Sequence, residues 1–238
     1  MKDVVFKDFC CAYGDKVVFD GFDLQLEGGK INVILGGSGV GKTTLLNAIA
    51  SLKTYDGEIS GNDGGISYIF QKDRLIPTIS VYKNLDLALR SVCKDKDERK
   101  KRIYAMASAL EIEDVLKSTP TEISEGQAQR VSMARAFLYP SDVLLLDEPF
   151  KALDTALKAR LIKKLAELCE ESKKTVVFVT HAIDECLLLA DNYFVFAKNP
   201  VQVVRSGRIS SNKLERALTD SELEDTRKAL LETILSAN

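Results

Sequence analysis

An apolar run from Ile31 to Leu35, a loop carrying four glycines in six positions and a helix pattern from Thr44 to Ala50 constrain this chain more than any other stretch. The loop, Gly36-Gly37-Ser38-Gly39-Val40-Gly41-Lys42-Thr43, fits G-x-x-x-x-G-K-[ST] in the strand–loop–helix setting that a phosphate-binding loop requires. Glycines let successive backbone N–H groups turn inward around a phosphate, and the helix N-terminus adds a favourable dipole. Lys42 is placed to reach β- and γ-phosphates, and the Thr43 hydroxyl to join a Mg²⁺ shell, with Thr44 the next polar group on the helix. A bland Gly-rich turn is the competing reading, but it would need neither the Lys-Thr pair nor so many glycines. The expectation is a site for a nucleoside triphosphate.

A second motif supports that expectation. Val143-Leu144-Leu145-Leu146 reads as a buried strand that delivers Asp147 and Glu148 at its C-terminal end. Ligands of open α/β sheets collect at that end. Asp147 suits the second carboxylate of a P-loop Mg²⁺ site, and Glu148 is then placed to orient or deprotonate an attacking water. A strand ending in two acids is weak on its own, since a solvated strand end gives the same pattern. It gains weight from the loop upstream.

The rest of the chain sorts into segments. Residues 1–30 alternate as strands, with turns at Gly14-Asp15 and Glu27-Gly28-Gly29. Residues 78–135 are mostly helical, and their charged run from Lys94 to Arg102 reads as a solvated face. Val176–Val179 is another buried strand, preceded by a helix whose Leu157, Leu161, Leu165 and Leu168 share one face. Beyond about residue 213 a helical tail is expected, with a capping box from Thr219 to Glu222 and an apolar face of Leu230, Leu231, Ile234 and Leu235. The fold class expected is α/β: a P-loop NTPase core on a mostly parallel sheet, with an N-terminal antiparallel β subdomain and an inserted helical subdomain. Residues 1–72 and 136–206 would form the core with its β subdomain, 73–135 the helical subdomain and 207–238 the tail.

Composition excludes several classes. The longest apolar runs fall far short of a membrane span, and the N-terminus carries no signal-peptide pattern, so a cytosolic chain is expected. A formal net charge of −2 gives no footprint for nucleic acid. The five cysteines lack metal-ligand spacing and read as small apolar residues. His181 is the single histidine, which rules out a histidine metal cluster.

The third motif, Ile123-Ser124-Glu125-Gly126-Gln127-Ala128-Gln129-Arg130, closely resembles the LSGGQ signature of the ABC ATPases. The surrounding order resembles that family as well. Gln71 matches the Q-loop glutamine, Ala152-Leu153-Asp154 the D-loop, and His181 after Val179-Thr180 the switch histidine, while Tyr13 resembles the aromatic that stacks on adenine. The resemblance spans roughly residues 3–206. It implies ATP and Mg²⁺ as ligands, with Thr43, Gln71 and Asp147 around the metal and Glu148, His181 and Gln71 serving hydrolysis. It also implies a head-to-tail dimer of two copies, in which Ser124, Glu125, Gly126 and Gln127 of one subunit meet ATP on the P-loop of the other.

The same resemblance implies separate permease subunits, an extracytoplasmic solute-binding protein reached through them and a place at the cytoplasmic face of the membrane. The stretch from Gln71 to Leu85 is similar to that of bacterial importer ATPases for nitrate, sulfonate and taurine, although Thr78 stands where those usually have Trp. The chain ends soon after the ATPase core, which argues against the regulatory domain of many sugar-importer ATPases. Glu125 replaces the first glycine of the signature pair. That departure keeps a low-turnover regulatory ABC subunit open as an alternative, beside a soluble non-transport ABC ATPase.

Overall fold

The computed structural model describes residues 1–151, 153–197 and 200–236. The chain begins with β1 (Val4–Tyr13), β2 (Lys16–Leu26), β3 (Ile31–Gly36), α1 (Lys42–Ile49), β4 (Asp56–Ser60) and β5 (Ile66–Ile69). Three helices follow, α2 (Val81–Arg90), α3 (Lys96–Ala109) and α4 (Glu125–Leu138). The second half holds β6 (Val143–Asp147), α5 (Thr155–Ser172), β7 (Thr175–Thr180), α6 (Ile183–Leu189), β8 (Asn192–Ala197), β9 (Gln202–Arg208) and α7 (Ser221–Ser236).

The strands make two sheets, a three-stranded one in the order β2-β1-β4 and a six-stranded one in the order β5-β6-β7-β3-β8-β9. The small sheet is antiparallel throughout. Among the described residues, the β8–β9 pair is the only antiparallel one in the large sheet. Every residue of β3, β6 and β7 is buried, as near-continuous apolar runs in a sheet covered on both faces must be. Asn32 is the polar exception within β3. Its amide donates to the Glu27, Lys30 and Val176 carbonyls, and its Oδ1 accepts from Glu27 N–H, so its burial leaves nothing unpaired.

Two apolar clusters follow from this layering. One lies between the large sheet and the helical segment, around Leu85, Ile103, Val131, Leu146 and Phe178. The other joins the small sheet to α1 and the opposite face of the large one, around Phe6, Phe9, Phe19, Leu45 and Phe196. Phe9 and Phe19 meet edge to face with centroids 5.0 Å apart, a geometry favoured by the ring quadrupoles.

The C-terminal segment departs from expectation. β9 runs through Arg208, residues 209–220 are turns and irregular chain, and α7 begins only at Ser221. The Thr219–Glu222 capping box is not formed among the described residues; the Asp220 carboxylate instead accepts from Ala217 N–H. On α7 the buried residues are Leu223 and Leu230, whereas Leu231 and Leu235 are exposed, so the inward face is rotated from the one expected. The last two residues of the expected tail, 237 and 238, lie outside the described residues. In the middle of the chain α4 continues to Leu138, past the expected boundary at 135.

Candidate active site

Parallel pairing fixes where the functional side chains converge. Ile69 pairs with Leu146, Asp147 with Val179, and Leu35 with Thr180. The C-terminal ends of β5, β6, β7 and β3 therefore lie side by side, and Gln71, Asp147, Glu148, His181 and the 36–43 loop all issue from that edge. This is the binding edge of an open α/β sheet.

The loop is shaped by its glycines. Gly39 and Gly41 hold φ of 75° and 120°, a region L-side chains rarely adopt. A Cβ on Gly41 would also fall 2.9 Å from Val18 and Val201, so the turn into α1 has room for glycine alone. Within the loop, Gly37 and Ser38 lead to Val40, which is buried and whose N–H bonds back to the Gly37 carbonyl at 3.4 Å. Lys42 folds over this turn, its Nζ donating to the Gly36 and Gly37 carbonyls at 2.7 and 2.9 Å. Burial pushes the Lys42 ammonium below its ordinary value.

Thr43 and Thr44, in the first turn of α1, point to different partners. The Thr43 hydroxyl donates to the Asp147 carboxylate at 3.0 Å. Thr44 Oγ1 donates to the Tyr13 hydroxyl at 3.4 Å, which ties the end of β1 to the loop. The Tyr13 ring is half exposed, with Lys53 Nζ 4.1 Å from its centroid on one face. Desolvation raises the Asp147 carboxyl despite the Thr43 bond, leaving a buried carboxylate in need of a cation.

Glu148 carries the strain. Its φ is 46°, an uncommon conformation for a residue with a Cβ, and its N–H is fixed to the Val179 carbonyl at 3.0 Å. That turn aims the carboxylate along the sheet edge. Glu148 Oε1 lies 3.3 Å from His181 Nδ1, and Oε2 lies 2.9 Å from Lys151 Nζ. Oε2 is nevertheless buried without a hydrogen-bond donor among the described residues, so the Lys151 contact is an ion pair out of hydrogen-bond alignment. Burial alone would raise the Glu148 carboxyl, but Lys151 and His181 more than offset it and hold the group below the usual carboxylate range.

Lys151 was not singled out by motif. The available signal was Pro149 one residue after Glu148, which favours a turn and brings residue 151 back to 148; Lys151 N–H bonds to the Glu148 carbonyl at 3.3 Å.

The signature residues do not join this cluster within the subunit. Ser124 N-caps α4, accepting from Gln127 N–H while Gln127 Oε1 accepts from Ser124 N–H, a complete capping box. Glu125 is exposed in the first turn of α4, where a carboxylate favours the helix dipole. Gly126 packs closely enough on Leu153 and Leu157 that a Cβ would sit 3.3 and 3.4 Å from their methyls. Asp154 N-caps α5 through Leu157 N–H, while Ala152 lies outside the described residues. Gln71 is exposed two positions beyond β5. Ser124 and Gln127 make no hydrogen bond with the 36–43 loop among the described residues.

A family model described as ABC transporter matches residues 19–151. An aliphatic sulfonates import ATP-binding protein of Paracoccus denitrificans is 36% identical over 94% of this chain and 90% of its own length. A maltose/maltodextrin import ATP-binding protein of Vibrio cholerae is 35% identical over 82% of this chain, but only 55% of its own length. Among solved structures, a dimeric bacterial ABC transporter cassette superposes with a TM-score of 0.78 at 28% identity, covering 88% of this chain and 100% of that one. A dimeric cassette in a post-hydrolysis state, bound to ADP and phosphate, gives 0.77 at 27% identity over 88% of this chain and 100% of that one.

Proposed function

The chain belongs to the ABC transporter family as an ATP-hydrolysing subunit, and from that premise we propose that it powers import of a small solute of the nitrate, sulfonate and taurine class through separate permease subunits. One observation carries the assignment of roles. The Glu148 carboxylate lies at the end of β6, one residue beyond the carboxylate that Thr43 meets, with Oε1 beside His181 and Oε2 free of any hydrogen bond among the described residues.

In this reading the 36–44 backbone and Lys42 cradle the triphosphate, and Tyr13 stacks on adenine. Thr43 and Asp147 offer oxygen donors of the kind Mg²⁺ takes, with Gln71 at the neighbouring strand end, and the desolvated Asp147 carboxylate suits a cation. A bound Mg²⁺ would neutralise charge on the β- and γ-phosphates. Water attacks the γ-phosphorus in line, the bond to the β–γ bridging oxygen breaks with its electron pair leaving on ADP, and Glu148 accepts the water's proton. His181, held beside Glu148, is placed to donate to the γ-phosphate.

Exposed Ser124 and Glu125, with half-buried Gly126 and Gln127 beside them, suit a second copy of the chain, whose ATP they would close in a head-to-tail pair, with Asp154 at the same interface. The relatives solved as dimeric cassettes support that arrangement. A cavity of about 360 Å³ between β5, α2 and α4, lined by Ile76, Leu87, Ala88 and Tyr139, suits a short permease helix. No helix among the described residues is long and apolar enough to cross a membrane. The subunit would therefore reach the cytoplasmic face of the membrane through its permease, which a solute-binding protein would load from the other side.

Similarity to the aliphatic sulfonates import proteins over nearly the full chain supports the sulfonate class. Deleting the gene and supplying a sulfonate, taurine or nitrate as sole sulfur or nitrogen source tests it. Loss of growth on one of these, restored by the intact gene, supports the reading. Normal growth on all, with lost uptake of a maltodextrin, would reassign the solute.

A further inference from the structure

We propose that Lys151 is a positioning residue of the hydrolytic step: it covers the Glu148 carboxylate in the lone subunit and swings off when the site closes on ATP, so that water reaches the base. The inference rests on the reading of Glu148 as proton acceptor.

The geometry is specific. Of the two Glu148 oxygens, Oε1 faces His181 Nδ1 at 3.3 Å, and Oε2 has no hydrogen-bond donor yet is shut off from solvent. Lys151 Nζ stands 2.9 Å from Oε2, so the lysine overlies the oxygen left for water. The two partners differ in freedom. The Glu148 side chain is 15% exposed and anchored by a strained backbone, whereas that of Lys151 is 52% exposed. Lysine is the end that moves.

An ammonium over a carboxylate opposes catalysis by occupying the position from which water would meet the acceptor oxygen. Because the lysine end is half exposed, the cover can swing out into solvent.

The test uses the purified chain at saturating Mg-ATP. Lys151→Met should raise kcat roughly two- to fivefold while leaving the equilibrium affinity for a fluorescent ATP analogue unchanged. Lys151→Gln should behave as Lys151→Met, and Lys151→Arg, which restores the cation, should return kcat to the wild-type value. A purely structural ion pair would lower the melting temperature of the Met and Gln variants without raising kcat, and that outcome would overturn the proposal. So would a fall in kcat with intact binding. Glu148→Gln separates the two layers: if it retains wild-type turnover, the base is misassigned; if it is inactive and Lys151→Met still gives no gain, the cover alone is refuted.

Discussion

Thr43 and Asp147 stand 104 residues apart in sequence and meet through a hydroxyl–carboxylate bond of 3.0 Å. That bond joins the first turn of α1 to the end of β6, and it does so because β3 and β6 both flank β7 in a parallel sheet. Phosphate-binding loop and acidic strand end are thereby held as one unit. The Glu148 carboxylate is adjacent, so binding and chemistry share a rigid edge.

Lys42 is the buried cation of that edge, bonded to its own loop through the Gly36 and Gly37 carbonyls. Lys42→Ala should lower ATP affinity by two orders of magnitude or more, about 3 kcal/mol for a charge-assisted contact. Equilibrium titration with a fluorescent ATP analogue measures it; unchanged affinity would remove Lys42 from the site.

Glu125 occupies the first turn of α4 with its side chain exposed, while Ser124 and Gly126 keep the hydroxyl and the compact backbone of the signature. Glu125→Gly should change turnover by less than about tenfold, roughly 1.4 kcal/mol of barrier. A much larger gain at saturating Mg-ATP would make Glu125 a brake and favour the regulatory alternative.

Several features of this arrangement were legible in the sequence, and the exceptions have physical causes. The loop, β6 and β7 stand out because runs buried on both faces are apolar throughout. β9 does not, because as an edge strand its residues alternate between half-buried and exposed and its sequence is polar. The helix expected from about 213 begins only at Ser221, because the segment before it is held as irregular chain by Lys213 on Asp191 and by Arg216 on the Ala190, Ile209 and Ser211 carbonyls. Asn84 gave no sign at all. It is 1% exposed and serves the loop before α2, donating to the Ile76, Ile79 and Ser80 carbonyls and accepting from Ile76 N–H. Nor does any residue pattern announce that Glu148 takes a positive φ; the sheet around it imposes that.

Lys213 anchors the segment before α7 by meeting both Glu170 at the end of α5 and Asp191 ahead of β8. Glu170 also meets Lys173, and hydrogen bonds from the two lysines hold its carboxyl down at about 2. A folded-state value below the unfolded one means that this contribution is present above about pH 4.5 and is lost as pH falls toward 2. Glu170→Gln should therefore be less stable than wild type at pH 7, with the gap narrowing below pH 4.5. Urea denaturation at both pH values reads the difference; a gap independent of pH would mean that the ion pairs do not carry it.

The central claim is that Glu148 takes the proton of the attacking water at a site otherwise complete for ATP. Glu148→Gln keeps the shape and removes the acceptor. With Mg-ATP, turnover should fall by at least a hundredfold while ATP remains bound, and gel filtration should move the variant from monomer to a stable dimer holding unhydrolysed ATP. Wild-type turnover in this variant, with no ATP-dependent dimer, would contradict the account.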